Sequence, residues 1–215
     1  MKTKHSLVVA LLLALITSVS MANDGKYIEA MKKSITQLYE ADQIAEYQES
    51  VNAFNRIASA EKNKWEAYYY SAYANIMMAT LEPYAEKKDA YLDQAMLAIE
   101  EAKSLAPNES EVIALEGFAM MMRISVDPGS RGAMYAPQAQ QSFNKAVALN
   151  ENNPRALALK AQMEFGTAQF FGSSTKDACA TNAMAIEKFG TYTSENILAP
   201  QWGTTMTEGL AEKCK

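Results

Sequence analysis

Ala95-Met96-Leu97-Ala98-Ile99-Glu100-Glu101-Ala102 is the stretch that decides the architecture of this chain. A small residue, a large one four positions on and a second small one three beyond lie along one face of a helix. The spacing returns in Ala139, Phe143 and Ala146 and in Ala178, Asn182 and Ala185, with a looser copy in Ser50, Phe54 and Ile57. The small residues let a neighbouring backbone approach, and the large one fills the gap between them. No such helix buries that face alone, so stacked copies are the physical solution.

Helical spacing is predicted over 28–41, 45–60, 65–81, 91–105, 111–125, 138–149, 154–169 and 176–189, with a short helix over 204–213. Residues 23–26 read as a polar lead-in. Pro83 and the charges up to Asp89 read as a loop, as does Asp127-Pro128-Gly129-Ser130-Arg131-Gly132 on to Pro137. Phe170-Phe171-Gly172-Ser173-Ser174 reads as a third loop and 190–202 as irregular. Strand-like alternation is nowhere to be found. The expected fold is all-α: four helix hairpins closed by a C-terminal capping helix.

Residues 1–22 read as a secretory signal peptide. Lys2 and Lys4 precede an apolar run from Ser6 to Val19, and Ser20-Met21-Ala22 places small residues for cleavage between Ala22 and Asn23. The run falls short of the ~18–20 apolar residues of a membrane span, so no integral span is expected once the peptide is removed. A soluble periplasmic or secreted protein follows. Its organisation is then residues 23–190 as the repeat domain and 191–215 as a capping segment.

The formal net charge is −5, and it is more negative still without Lys2 and Lys4. Binding to a nucleic-acid backbone is not expected of such a chain. Its one histidine, His5, leaves with the signal peptide. Ser-His and Cys-His nucleophiles and His-bearing zinc sites are thereby excluded. Cys179 and Cys214 are the only cysteines. Export places them where disulfides persist, which favours a bond over two buried thiols.

The pattern resembles the tetratricopeptide repeat family, helix–turn–helix units of ~34 residues with small–large–small second helices and a closing proline. Glu66-Ala67-Tyr68-Tyr69-Tyr70-Ser71-Ala72-Tyr73 with Ala95, Ile99, Ala102 and Pro107 is the best copy. Ile113, Gly117 and Met120 lead into the second, and Pro154-Arg155-Ala156 and Ala161 into the third. Gly117 and Ala72 fall where the family places a small residue between paired helices. The layout is similar to exported proteins of this kind in Gram-negative bacteria. The resemblance implies a right-handed superhelix. Phe54, Ile99, Phe143 and Asn182 recur more widely than the family's period, and the surplus is assigned to loops around Pro83, Pro128 and Phe171. Asn182 stands where an aromatic residue is expected.

The resemblance also implies a concave groove lined by the first helix of each hairpin. Its candidate binding residues are Tyr69, Tyr73 and Ile76, then Ala114, Phe118 and Met121, then Ala158, Gln162 and Phe165. Exposed aromatics in such a groove anchor partners; the alternative is that extra segments cover the stripe as core. The places where some family members hold a peptide carboxylate with Lys and Asn are aromatic or Ala here. The leading expectation is a non-enzymatic scaffold holding a protein or peptide segment. The competing one is a periplasmic small-molecule binder, with an aromatic cavity closed by the Phe170–Ser174 loop.

Chemistry finds little support. Ser59–Lys62, Ser142–Lys145 and Ser173–Lys176 match S-x-x-K without its companion motifs. Phosphate-loop and calcium-loop signatures are missing, and neither a cofactor nor a metal is expected. Met120-Met121-Met122 diverge by about 100° each around a helix, so they read as packing rather than a copper site. Ile197-Leu198-Ala199-Pro200-Gln201-Trp202-Gly203 is expected to cover the exposed end of the last repeat, with Trp202 as its largest apolar surface.

Overall fold

The computed structural model describes residues 24–215; the expected signal peptide and cleavage site lie outside the described residues. The chain is helical over 24–40 (α1). It continues as α2 (Ile44–Ala60), α3 (Trp65–Leu81), α4 (Ala85–Leu105), α5 (Ser110–Val126), α6 (Pro128–Leu149), α7 (Pro154–Phe171), α8 (Lys176–Thr191) and α9 (Thr204–Lys213). Among the described residues there is no strand. Helices α3/α4, α5/α6 and α7/α8 pair as hairpins, and α5 packs against both α3 and α7. The result is a helical-repeat superhelix, with α9 laid over α8 and α7 at its end.

The repeated triplets form the seams. Ala95, Ile99, Ala102, Ala139, Phe143 and Ala146 are fully buried. A Cβ placed on Gly117 of α5 would lie 2.5 Å from the Phe143 ring of α6. Only glycine lets that ring reach the helix backbone. Asn182 is buried and donates to the Thr207 carbonyl at 2.9 Å. The position that departs from the aromatic pattern therefore docks α9.

The surplus residues are not in loops, which corrects that expectation. They lengthen the outer helices: α4 has 21 residues and α6 has 22. Pro128 occupies the first turn of α6, where its missing N–H costs nothing. Asp127 caps that turn by accepting from the Ser130 amide at 3.3 Å. Pro137 lies inside α6, and both it and Ala133 are exposed, so the carbonyl left without an amide faces solvent. Arg131 then grips Asp89 with two bonds of 2.6 and 2.7 Å, and Arg123 reaches Asp93. These pairs tie the added turns of α4 and α6 to each other and to α5. The expected lead-in at 23–26 is helical from residue 24, and α4 begins at Ala85 rather than at 91.

Phe170 and Phe171 close α7 instead of forming a loop. Gly172 follows in the left-handed conformation, φ 63°, and the Ser173 amide donates back to the Ala168 carbonyl at 2.8 Å. That backbone suits glycine and ends the helix sharply.

Candidate functional site

Helices α3 and α5 bring Tyr69, Tyr73, Ile76, Ala114 and Phe118 into one cluster with Leu198 and Trp202, with Met121 packed against it. On α7, by contrast, Ala158 packs with Leu157 and Ala185, Phe165 packs with Ala178 and Leu210, and Gln162 donates to the Met206 carbonyl. Tyr69, Tyr73, Ile76, Ala114, Phe118, Ala158 and Phe165 are buried, while Met121 and Gln162 keep partial exposure. The segment between α8 and α9, residues 192–203, runs back along the groove and fills it. The Trp202 indole stacks on Tyr73 (centroids 4.8 Å apart, 21° between planes) and on Phe118 (5.9 Å, 27°). The segment expected to cover the end of the last repeat thus covers the concave face instead. Its apolar residues Leu198, Ala199 and Trp202 find more aromatic area there than α7 and α8 offer. The end of the stack is capped by α9 alone, where Leu210 packs with Ala161, Phe165 and Ala178. Cys179 and Cys214 are disulfide-bonded across this junction, Cα atoms 5.8 Å apart.

The strap is held as a peptide would be held. Tyr70 donates its hydroxyl to the Leu198 carbonyl at 2.6 Å, and the Gln201 amide donates to the Tyr39 hydroxyl at 3.0 Å. Asn196 donates its side-chain amide to Glu66 at 3.2 Å. The Trp202 indole N–H donates to the Tyr69 hydroxyl at 3.0 Å, and Tyr69 donates onward to Glu111 at 3.5 Å. Gly203 ends the strap at φ 110°, where a Cβ would meet Phe189 at 2.9 Å and Arg155 at 3.2 Å.

Under the strap lies a buried ion pair absent from the sequence expectations. Arg155 Nε donates to both Glu111 oxygens at 2.9 and 3.0 Å, and Nη2 donates to Oε1 at 2.8 Å. Nη1 is left for the Trp202 carbonyl at 3.5 Å, while the Tyr192 ring lies 4.4 Å from the guanidinium. Burial raises the Glu111 pKa above the usual carboxylate range despite its partner. For Arg155 burial opposes the charge, but the hydrogen bonds and attraction of Glu111 outweigh it and hold the guanidinium charged. Burial likewise pushes the Tyr69, Tyr70 and Tyr73 hydroxyls up, so all three stay protonated donors. One signal for this network was available in sequence: Glu66, Glu111 and Arg155 are each the second residue of an inner helix.

Other candidate features come out differently. Phe170 and Phe171 are 69% and 74% exposed and meet edge to face at 5.1 Å, closing no cavity. Met120, Met121 and Met122 are partly buried against the core. The hydroxyls of Ser59, Ser142 and Ser173 donate to Asn55, Glu116 and Ala168, and among the described residues no acidic, Cys or His cluster is placed to hold a metal. A cleft of about 420 Å³ lies between α8 and α9 beside Ile186 and Phe189, and a polar one of about 550 Å³ lies between α1 and α2. No helix among the described residues is long and apolar enough to cross a membrane.

Fold and site together define a helical-repeat protein whose concave groove is filled by its own C-terminal strap. Among solved structures the chain is similar to the HusA haemophore from Porphyromonas gingivalis, with a TM-score of 0.78 and 28% identity over 88% of this chain and 92% of that one. It also shares its fold with a thermophilic TPR protein of Thermus thermophilus, at TM-score 0.54 and 16% identity over 79% and 87% of the two chains. No protein-family model matches the chain, and no curated protein does.

Proposed function

We propose that this is an exported, non-enzymatic helical-repeat protein that binds a planar, carboxylate-bearing macrocycle of the haem class. The observation that carries this is the likeness to the HusA haemophore, which extends over 92% of that chain and so concerns the whole molecule rather than one hairpin. The tetratricopeptide resemblance places a protein segment first and a small molecule second. The haemophore likeness reverses that order, because its identity and TM-score both exceed those of the TPR protein. The apolar N-terminal stretch and the Cys179–Cys214 bond support export.

Residues 24–215 contain no imidazole. Tyrosine and methionine are then the side chains that would be available to a haem iron, and apolar and aromatic surface would hold the ring. Absorbance titration and equilibrium dialysis of the purified protein with hemin and with metal-free protoporphyrin test this. Saturable binding of both within about tenfold is expected; failure of both to bind saturably would overturn it. The second reading, a partner's extended segment in the groove, draws its support from the strap, whose carbonyls and amides are already held there by Tyr39, Tyr70 and Arg155.

A further inference from the structure

Resting on the macrocycle assignment above, we propose that the ligand's seat is the aromatic slot between Tyr73 and Phe118, and that Trp202 fills this slot until the ligand takes its place. The slot has the geometry of a ring-binding site with a ring in it. Indole, phenol and phenyl planes lie within 21° and 27° of parallel at 4.8 and 5.9 Å. Offset stacking of this kind favours any flat conjugated system.

The stripe beneath is larger than one indole. From Tyr69 to Ile76 it runs about 10 Å along α3 at ~1.5 Å per residue. Across α3 and α5 it spans an interhelical distance of about 8–10 Å. That area suits a macrocycle once the strap is lifted. The half-buried Met121 and Met206 at its margin have the adaptable side chains such a ring needs.

The strap is built to move between fixed ends. Its backbone–backbone bonds are the local ones from Tyr192 to Phe189, from Ala199 to Asn196 and from Met206 to Gly203, and no ladder joins it to a neighbouring element. Side chains of α1, α3 and α7 hold it instead. Past Gly203 the chain is fixed, because α9 is tied by the Cys179–Cys214 bond, by Asn182 on the Thr207 carbonyl and by Leu210. Lifting the strap frees the Tyr70 hydroxyl from the Leu198 carbonyl and Arg155 Nη1 from the Trp202 carbonyl. These are the donors that would receive the macrocycle's carboxylates, while Glu111 keeps the rest of the guanidinium.

Hydrogen exchange of the full protein, with and without hemin, reads the proposal directly. Amides of residues 196–203 should exchange at least about tenfold faster with hemin bound, while α3 and α5 become more protected. Trp202→Ala, with its internal competitor removed, should bind hemin at least about tenfold more tightly than the wild type. If the wild type binds hemin with 196–203 still protected, the slot is not the seat, although macrocycle binding stands. Binding by Trp202→Ala alone would overturn the displacement of Trp202 by the ligand. If neither protein binds hemin, both the slot and the macrocycle assignment fall. Should Trp202→Ala not fold, the wild-type exchange experiment still decides.

Discussion

Replacing Arg155 by Met should cost about 3–5 kcal/mol, the range for breaking a buried ion pair by removing one partner. The structure sets the scale. Arg155 is only 1% exposed, and its three contacts with Glu111 fall between 2.8 and 3.0 Å. Methionine fills much of the volume but leaves the carboxylate in the interior with only the 3.5 Å bond from Tyr69. By contrast, the Lys215–Glu212 pair at 2.7 Å is some 70% exposed on both sides, and Lys215→Ala should cost well under about 1 kcal/mol. The Glu111→Leu/Arg155→Met double variant should recover most of the loss, since no charge is then stranded. The pH dependence has a definite sign. Burial already raises the Glu111 pKa, and losing Arg155 raises it further. A carboxyl raised in the folded state contributes most below its unfolded pKa and loses that contribution as pH climbs through the folded value. The deficit of Arg155→Met should therefore shrink on going from about pH 7 to about pH 5. Urea unfolding at both pH values measures it. A deficit below about 1 kcal/mol that ignores pH would refute the claim that this carboxylate is shielded from water.

Gly117→Ala should destabilise by about 1–3 kcal/mol, because its Cβ would lie 2.5 Å from the enclosed Phe143 ring; adding Phe143→Leu should recover part of that loss in thermal melts. Tyr69, Tyr70 and Tyr73 are raised in the fold, so stability should decline as pH rises above about 10, and absorbance near 295 nm should show them ionising only as the protein unfolds. Cys214→Ser should lower stability by up to about 4 kcal/mol, with faster hydrogen exchange in 176–215, including the strap. The side-chain carboxyl of Asp89 should titrate below the usual range by NMR, because Arg131 hydrogen-bonds it, and Arg131→Ala should move it back up.

Much of the helical frame was readable from local pattern. The ranges 65–81 and 204–213 match α3 and α9, and the triplets around Ile99 and Phe143 are the buried seams. What failed locally was decided at long range. Proline and glycine between 127 and 137 signal a loop, yet Arg131 finds Asp89 at 42 residues' remove and makes the segment worth folding as helix. Asn182 reads as a defect in the repeat until Thr207 supplies its partner. The aromatic face under the strap was legible as a stripe on α3 and α5, whereas the α7 members of that stripe pack against α8 and α9. The cover over that face was not legible, because no local periodicity says where an irregular segment such as 192–203 goes. The triad of second-position charges, Glu66, Glu111 and Arg155, was visible in the sequence but carried meaning only once the helices were aligned.

The long reach of the strap changes how the molecule holds together as a chain. In an open solenoid each unit touches only its neighbours, and ends can fray one repeat at a time. Here Leu198 is bonded to Tyr70 across 128 residues, and Gln201 to Tyr39 across 162. The first and last units are thereby joined, and melting either end strips the other of its partner. Such a closed array should unfold as a single cooperative body. During synthesis the cost falls on the order of events: α1 to α8 are complete before the strap exists to cover them. Until the final residues arrive, the nascent protein carries an uncovered row of tyrosines and phenylalanines, a sticky surface that its own last segment removes.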